Sequence, residues 1–333
     1  MKDGIAIAGN LIVDFVKEID IYPSEGMLSN ISNVQMSVGG CVTNTAIDLA
    51  KIDSSLHIEA LGMVGDDSNG QYVTDTLAQY GISTGGVKVN GSTVTSFTDV
   101  MTVSEGKART FFHARGANAV FGIEDIDFDS IESRFFHIGY ALLLDRFDAS
   151  DPEYGTVMAK ALAYAQQKGL KTSMDVVSEN GDRFARVVTP SLKYCDNIII
   201  NEVEASMICG TPVRRDDVLD KDALKAVCGK LMDAGVRERV VIHAPEAACA
   251  LERGGRFVYV PSLRLPSGYI KGTVGAGDAF CAGVLYSFYR DYDIEEALTA
   301  GAGAAACSLS ELNAIDGMKS LDEIRGLIEK YRV

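Results

Sequence analysis

Short apolar runs alternate with amphipathic stretches through most of this sequence, and that alternation limits the folds open to it. Runs typical of buried strands are IAIAGN (5–10), LKTSMDV (170–176), NIII (197–200) and RVVIHA (239–244). Helical patterns lie between and after them, at 43–52, 70–80, from Pro152 through Ala165, 223–235, from just after Asp278 to Arg290, 294–309 and 321–333. Strand and helix in repeated alternation predict an α/β fold with a mainly parallel sheet covered on both faces.

Two groups of strands interrupt this alternation, at about 12–36 and 93–115. TSFTDVMTV (95–103) and ARTFFHA (108–114) are rich in β-branched and aromatic residues, and SEGK between them is a hairpin signal. No repeat or linker separates these strands from the rest. We therefore interpret them as a small β insertion on one domain that covers residues 1–333.

Charge and cysteine content exclude several classes of function. The 333 residues carry a net charge of −15, and so acidic a chain lacks the basic surface that nucleic acid or an anionic membrane requires. The seven cysteines are scattered and never spaced Cys-x-x-Cys, which predicts reduced thiols in a cytoplasmic protein rather than disulfides or a zinc site. No apolar run approaches membrane-spanning length and no signal peptide is expected.

The stretch GTVGAGDAFCAG (272–283) places an aspartate directly after Gly-Ala-Gly. Gly275 and Gly277 can adopt backbone angles closed to other residues, and Ala276 adds little bulk. A helix-forming segment follows, so the N–H groups from Gly275 to Asp278 can converge on an anion such as phosphate. Asp278 would then be an ionised base beside that phosphate, as phosphoryl transfer to a hydroxyl requires. The alternative is a glycine turn with a capping aspartate, which is common.

Small and polar residues near the N-terminus suit a polyol. Gly39 and Gly40 precede a helix containing Asn44, whose amide can both donate and accept hydrogen bonds. Asp14 follows the first strand and its turn. Each could be a solvated cap or a surface charge, but strand ends are where open α/β sheets place their sites.

A second pair of polar residues directly follows the NIII strand. Asn201 and Glu204 are three residues apart and share one helical face. A carboxylate with an amide can organise the water shell of Mg²⁺, an ion that keeps several of its waters. The alternative is again a solvated cap.

Within the inserted strands, His113 and Arg115 occupy alternate positions of ARTFFHARGANA. Alternate residues of a strand share a face, so we expect both to point to one side. That side is either the substrate, with Arg115 reading an anionic or hydroxyl-rich group, or solvent or a dimer contact.

Taken together, these motifs resemble the ribokinase/PfkB family of carbohydrate kinases over nearly the whole chain. TVGAGDAFCAG is similar to that family's C-terminal signature, VGGCVTNTAIDLAKI with LGMVGDDSNG to its N-terminal one, NEVE to its Asn-x-x-Glu motif and RGANA to the segment leaving its lid. The resemblance implies a Rossmann-like three-layer sandwich with a small β lid. It also implies ATP- and Mg²⁺-dependent phosphorylation of a hydroxyl on a sugar or sugar-like molecule, and a homodimer formed through the lid.

The resemblance also gives each motif a role. Asp278 would be the catalytic base, and the backbone of Gly275, Ala276, Gly277 and Asp278 the anion hole. The residues implied for substrate are Asp14, Gly39, Gly40 and Asn44, to which His113 and Arg115 of the lid are added. The residues implied for the nucleotide are Asn201, Glu204, His243 and Thr273, with Glu204 reaching Mg²⁺ through water.

Three departures from the family pattern bear on this assignment. Gly272 stands where the family usually has an aspartate of a monovalent-cation site, so we expect weak or absent activation by K⁺. HAPEAAC (243–249) replaces a glycine-containing nucleotide loop, Thr-x-Gly-x-x-Gly. Asp175 is kept from an Asp-x-Asn-x-Arg motif whose other positions are changed, which weakens assignment to a sugar-acid kinase.

The sequence leaves the substrate, the hydroxyl phosphorylated and the phosphate donor open. A nucleoside kinase of the same fold is the nearest alternative. A non-catalytic homologue that senses a ligand is a second alternative, favoured by the altered HAPEAAC loop and opposed by the intact Gly-Ala-Gly-Asp.

Overall fold

The computed structural model describes residues 2–103, 109–179 and 181–332. Its strands are β1 (Ile5–Ala8), β2 (Ile12–Ile19), β3 (Ile31–Gly39), β4 (Ile58–Gly65), β5 (Ser83–Asn90), β6 (Phe97–Val103), β7 (Arg109–Ala114), β8 (Phe135–Ala141), β9 (Ser150–Asp151), β10 (Gly155–Thr156), β11 (Lys171–Val176), β12 (Asn197–Asn201), β13 (Arg214–Arg215), β14 (Val218–Leu219), β15 (Arg239–His243), β16 (Ala247–Glu252) and β17 (Phe257–Pro261). Its α-helices are α1 (Cys41–Ile52), α2 (Ser68–Gln79), α3 (Gly116–Val120), α4 (Val157–Gln167), α5 (Phe184–Leu192), α6 (Glu202–Cys209), α7 (Lys221–Asp233), α8 (Ala276–Tyr289), α9 (Ile294–Ser308) and α10 (Leu321–Tyr331).

The centre of the fold is a nine-stranded sheet in the order β17-β16-β15-β12-β11-β8-β1-β4-β5. The seven strands from β15 to β5 are parallel, and β16 and β17 add an antiparallel edge. This confirms the predicted α/β class with a mainly parallel sheet. Since parallel strands point the same way, their carboxyl ends gather polar residues from distant parts of the sequence at one edge.

Two hydrophobic cores lie on opposite faces of this sheet. In β1, Ala6 and Ala8 belong to one core and Ile5 and Ile7 to the other, as the alternation of side chains along a strand requires. Residues of α4, α5, α6 and α7 cover the first face, and residues of α1, α8 and α9 cover the second. Among the residues that the structure describes, no helix is long and apolar enough to cross a membrane.

A four-stranded sheet, here called the lid, is formed by β3, β2, β6 and β7 in that order. Its strands cover Ile12–Ile19 and Ile31–Gly39, and Phe97–Val103 and Arg109–Ala114, against the predicted 12–36 and 93–115. The predicted hairpin pairing of β6 with β7 is present, with Thr98 opposite His113. SEGK, predicted as its turn, lies outside the described residues. That the lid belongs to one domain of 1–333 stays an interpretation.

Five predicted helix starts were wrong: those at 43, 70 and 223 fall two residues inside α1, α2 and α7, and two others differ for identifiable reasons. The helix placed from Pro152 begins at Val157, because the preceding residues form the β9–β10 hairpin and Thr156 caps the helix through Ala159 N–H. The helix of the Gly-Ala-Gly-Asp motif, α8, begins earlier than predicted, at Ala276, with Gly275 as its N-cap. Asp278 therefore lies inside the first turn of α8 rather than ahead of the helix.

Candidate active site

A cavity of about 510 Å³ opens at the carboxyl ends of the parallel strands. Each of four neighbouring strands, or the residue directly after it, contributes to the lining, and α8 contributes its first turn. The polar lining residues are Tyr140, Asp175, Ser178, Asn201, Glu204, His243 and Asp278, and Phe111 of the lid joins them. Residues from both halves of the sequence thus share one cavity, as the strand-end argument predicted.

The first turn of α8 forms one wall of the cavity. Gly275 has φ 79°, and a Cβ there would collide with Ala314, so this position requires glycine. Ala276 N–H donates to Thr273 O at 3.4 Å and Ala279 N–H to Gly275 O at 2.8 Å. Within the described chain we find no acceptor for the N–H groups of Gly277 and Asp278, and the first-turn amides of a helix attract anions.

The carboxyl group of Asp278 is buried and held by two side chains. Asn44 Nδ2 donates to Oδ2 at 2.8 Å, and the Tyr140 hydroxyl lies 3.0 and 2.9 Å from Oδ1 and Oδ2. Burial, reinforced by the charge of Asp175, raises the pKa of Asp278 to about 6, while these hydrogen bonds oppose the rise. A carboxylate with this pKa is ionised at neutral pH and basic enough to accept a proton.

Tyr140 is fixed by a chain of buried polar groups that sequence reasoning did not find. Its N–H donates to Asp175 Oδ1 at 2.5 Å, and its φ of 59° is unusual for a residue with a side chain. The other oxygen of Asp175 lies 3.2 Å from His137 Nε2, and His137 Nδ1 lies 2.9 Å from Ser173 Oγ. His137, to which the sequence analysis assigns no role, is therefore part of the support of the candidate base.

Asn201 and Glu204 form a capping box at the start of α6. Asn201 Oδ1 accepts from Val203 and Glu204 N–H, and Glu204 Oε2 accepts from Asn201 N–H at 2.9 Å. Ser178 Oγ donates to Glu204 Oε1 at 2.8 Å. The cap alternative is thus realised, but Glu204 is buried beside the cavity rather than solvated, and burial raises the pKa of its carboxyl group to about 8.

Asn44 and the paired glycines lie between this base and the lid. Asn44 is 4% exposed, and its Oδ1 has no hydrogen-bond partner among the described residues. A Cβ at Gly39 would collide with the Asp14 carboxylate, and one at Gly40 with Asn10 O. The glycines therefore let the end of β3 approach Asp14 and the start of α1 approach the turn between β1 and β2. Burial raises the pKa of Asp14 to about 6.

The expectation that His113 and Arg115 share one face of a strand was wrong. β7 ends at Ala114, and Arg115 has helical angles as the residue before α3. His113 Nδ1 lies 3.1 Å from Thr98 Oγ1 within the lid, whereas Arg115 Nη1 donates to Asp145 Oδ1 at 2.5 Å. The two side chains thus have separate partners, and only His113 remains on the strand.

His243 and Thr273, the two remaining residues predicted to bind the nucleotide, differ in position and exposure. His243 lines the cavity, packs on Phe280 with 4.6 Å between ring centroids, and has a pKa lowered to about 4 by burial, so it is neutral. Thr273 is exposed in the loop before α8.

The same loop carries Gly272, where the family usually has an aspartate. A Cβ at Gly272 would lie 2.8 Å from Glu311 O, and Lys271 pairs with Glu311 at 3.0 Å.

The donor set of this cavity is compatible with a hard cation. Asp175, Glu204 and Asp278 place three carboxyl groups in its lining, and no lysine or arginine appears among its described lining residues. Oxygen donors are the ligands that Mg²⁺ prefers. A bound cation would also offset the charge repulsion between Asp175 and Glu204 that contributes to the raised Glu204 pKa.

Comparison with known proteins gives concordant results. A model of the pfkB family of carbohydrate kinases matches residues 2–321. A 5-dehydro-2-deoxygluconokinase of Geobacillus kaustophilus is 26% identical over 304 residues, which cover 89% of this chain and 85% of that protein. A deoxyribokinase of Salmonella typhi is 24% identical over 306 residues, covering 92% of each.

Solved structures show the same fold. Arabidopsis thaliana ribokinase complexed with ribose and ATP matches with a TM-score of 0.83 at 20% identity, covering 99% of both chains. An E. coli protein described as ribokinase II, in complex with ATP and Mg²⁺, matches with a TM-score of 0.77 at 16% identity, covering 99% of this chain and 100% of that one.

Proposed function

Because this chain belongs to the PfkB family of carbohydrate kinases, we propose that it transfers a phosphoryl group from ATP to a hydroxyl of a sugar or sugar-like molecule, with Asp278 as the base. The observation that carries the proposal is the buried Asp278 carboxylate in the first turn of α8, beside backbone amides that have no acceptor in the described chain. A base and an anion site thus lie next to each other.

The roles within the site follow from these contacts. Asp278 accepts the proton of the attacking hydroxyl, and the amides of Gly277 and Asp278, with Gly275 and Ala276 shaping the turn, stabilise charge on the transferring phosphate. Glu204, through water, and Asn201 would hold Mg²⁺, which when bound neutralises phosphate charge. His243, neutral and stacked on Phe280, offers an apolar ring surface to the nucleotide, and the exposed Thr273 flanks the same loop.

The substrate hydroxyls would be held from the lid side of the cavity. Side chains directly opposite one another in a sheet share a face, so Asp14, Thr98 and His113 lie on one face of the lid. Phe111, two residues before His113, is on that face and lines the cavity. Asp14 and His113 therefore border the acceptor, while Asn44 acts through its hydrogen bond to Asp278.

The opposite face of the lid supports a homodimer. Met36, Phe15, Asp99 and Phe112 form one cross-strand row on that face, and Met36 and Phe112 are 48% and 51% exposed. Exposed apolar side chains in one row favour contact with a second copy. Use of ATP and seven free thiols support a cytoplasmic location.

The test is ADP release with a panel of sugars, sugar acids, sugar phosphates and nucleosides, comparing wild type with Asp278→Asn. The variant keeps the shape but loses the proton acceptor, so turnover should fall by about 10²–10⁴-fold. The control Asp233→Asn changes an exposed carboxylate on α7 and should leave turnover unchanged.

Three results would contradict the proposal in different ways. Near-normal turnover by Asp278→Asn would show that Asp278 is not the base. Turnover of nucleosides alone would favour the nucleoside kinase. Protection against heating by ATP and Mg²⁺, without turnover of any acceptor, would favour a sensing homologue.

A further inference from the structure

A histidine, an aspartate and a cysteine meet at the wall of the cavity. His137 on β8, Asp175 on β11 and Cys281 on α8 each offer one possible ligand atom, and these atoms all lie within 4.8 Å of one another. His137 Nε2 is 3.2 Å from Asp175 Oδ2 and 3.8 Å from Cys281 Sγ. Imidazole, carboxylate and thiolate are the side chains that bind zinc.

The spacing of these atoms is close to that of ligands around a tetrahedral ion. Zinc bonds nitrogen and oxygen at about 2.0–2.2 Å and sulfur at about 2.3 Å, which places the ligand atoms of one site about 3.3–3.8 Å apart. The observed 3.2 and 3.8 Å therefore require little movement of His137, Asp175 or Cys281 for an ion to enter.

Hydrogen bonds on the outer side of the cluster hold its ligand atoms in place. His137 Nδ1 lies 2.9 Å from Ser173 Oγ, and Asp175 Oδ1 accepts from Tyr140 N–H at 2.5 Å. His137 Nε2 and Asp175 Oδ2 are thereby directed toward each other and toward Cys281. Side chains that bind a metal are commonly oriented by such hydrogen bonds to their other polar atom.

The cluster is open to the cavity and lies in a negatively charged region. Asp175 and Cys281 line the cavity together with Glu204 and Asp278, and no lysine or arginine is among its described lining residues. Burial and the charges of Asp175 and Asp278 hold the pKa of the Cys281 thiol well above its ordinary value. A coordinated divalent ion offsets these charges and deprotonates a thiol.

We propose that His137, Asp175 and Cys281 bind a divalent ion of the zinc class, separate from the Mg²⁺ of the reaction, and that this ion slows the kinase. Nitrogen and sulfur ligands favour zinc over Mg²⁺, which takes oxygen. Three protein ligands leave one position open, as in sites that exchange their fourth ligand.

The effect on turnover follows from what the ligands support. Asp175 fixes Tyr140 through its backbone, and the Tyr140 hydroxyl contacts both oxygens of Asp278. An ion held by Asp175 therefore lies one residue away from the support of the candidate base, at the wall where the acceptor binds. The binding of the ion is independent of the proposed kinase function, whereas the slowing of turnover rests on it.

The binding experiment titrates Co²⁺ into the full chain in a thiol-free buffer. Cobalt takes the same ligands as zinc, and a cobalt–thiolate bond absorbs in the near ultraviolet. One equivalent of Co²⁺ per chain should produce this absorption. Zn²⁺ should remove it by displacing the cobalt, and a large excess of Mg²⁺ should not.

Two variants and a control assign the ligands. Cys281→Ala should lose the thiolate absorption. Cys281→Ala and His137→Gln should each bind Co²⁺ at least about tenfold more weakly, since even residues that only orient a ligand act at this level. Cys307→Ala removes an equally buried thiol, on α9 and outside the cavity lining, and should bind as wild type does. If a variant does not fold, the wild-type spectrum still decides whether a thiolate binds the ion.

The turnover experiment adds Zn²⁺ to the enzyme with Mg²⁺, ATP and its best acceptor all saturating. Turnover of wild type and of Cys307→Ala should fall by at least about tenfold, and a chelator should restore it. The residual turnover of Cys281→Ala should not respond to the same Zn²⁺ concentration.

The outcomes separate the site, its effect and the kinase function. Absence of the thiolate absorption in wild type, or its persistence in Cys281→Ala, would overturn the site. Binding without loss of turnover, or equal loss in wild type and Cys281→Ala, would overturn the effect on the kinase and leave the site. Thiolate absorption in a protein that turns over no acceptor would support the site and overturn the proposed kinase function.

Discussion

At the scale of single residues, the carboxyl group of Asp278 has two opposing influences on its basicity. Burial and the nearby charge of Asp175 raise its pKa to about 6, and hydrogen bonds from Asn44 and Tyr140 lower it. The Tyr140 hydroxyl contacts both carboxylate oxygens, while the Tyr140 backbone is tied to Asp175. One tyrosine therefore links the two carboxyl groups and contributes to both the orientation and the proton affinity of the base.

Replacing Tyr140 by phenylalanine should move the pH dependence of kcat/KM. The base works ionised, so activity is lost as the pH falls through the pKa of Asp278. Without the hydroxyl, that pKa rises, and the acidic limb should shift to higher pH by about one unit, as loss of one charge-assisted hydrogen bond implies. The measurement is kcat/KM against pH for wild type and Tyr140→Phe.

A matched control is available for this change. The Tyr286 hydroxyl also donates to an aspartate, Asp53, at 3.1 Å, outside the cavity lining. Tyr286→Phe should leave the acidic limb in place. An unshifted limb in Tyr140→Phe, or an equal shift in both variants, would mean that the Tyr140 hydroxyl does not tune Asp278.

At the scale of secondary structure, α6 joins a stabilising cap to a functional position. Its capping box buries Glu204 against the cavity, and the carboxylate accepts hydrogen bonds from Asn201 and Ser178. Asn201 and Glu204, which form the capping box at the start of α6, thus also present oxygen atoms where Mg²⁺ is proposed. A cap and a metal-organising pair are compatible because the carboxylate lies between the helix and the cavity.

Changing Glu204 to glutamine should raise the Mg²⁺ concentration needed for half-maximal rate by about tenfold, since residues that organise a metal's waters typically act at this level. Acceptor KM should not change. Glu202→Gln is the control, because Glu202 lies in the same helical turn but pairs with Arg214 at 2.8 Å. Equal Mg²⁺ dependence in the two variants would leave Glu204 as a cap only.

The loop before α8 carries a prediction about monovalent cations. A cation site needs several oxygens, and Gly272 offers no side chain; a Cβ there would meet Glu311 O at 2.8 Å. Lys271, next to it, is paired with Glu311. Turnover in K⁺ should therefore stay close to that in a large organic cation at equal ionic strength. An increase of about tenfold, roughly 1.4 kcal/mol of barrier, would show that backbone carbonyls suffice.

How far the sequence predicts these elements depends on the range of the interactions. The mainly parallel class of the sheet, four of its nine strands (β1, β11, β12 and β15), the lid strands and the positions of Asp278, Asn201 and Glu204 were predictable, because local patterns and strand ends define them. Tyr140 and His137 were not, since their contacts depend on the pairing of β8 with β11, which aligns His137 with Ser173. Tyr140 follows the apolar run FFHI (135–138) near the carboxyl end of β8. This strand-end position was the signal in the sequence that could have identified Tyr140 as a site residue.

At the scale of the whole molecule, the lid is a four-stranded sheet with little core of its own. Its inner face carries Asp14 and Phe111, of which Phe111 lines the cavity, and its outer face carries Val34, Met36 and Phe112, each about half exposed. A small sheet is stable only when at least one face packs on something. Covering the outer face with a second lid would hold the inner face in place over the substrate.

The proposed dimer can be broken by one charge. Phe112→Glu puts a carboxylate into the outer row of the lid, and burying that charge in an apolar contact is unfavourable. By sedimentation velocity, wild type should be a dimer and Phe112→Glu should dissociate at least tenfold more readily, about 1.4 kcal/mol. Val218→Glu alters an even more exposed apolar residue on the β13–β14 hairpin, away from the lid, and should remain dimeric. A monomeric wild type, or a Phe112→Glu variant as dimeric as Val218→Glu, would show that this face of the lid does not pair.

If the dimer does hold the lid, Phe112→Glu should also raise the acceptor KM, because Asp14 and His113 would then be less firmly placed over the cavity.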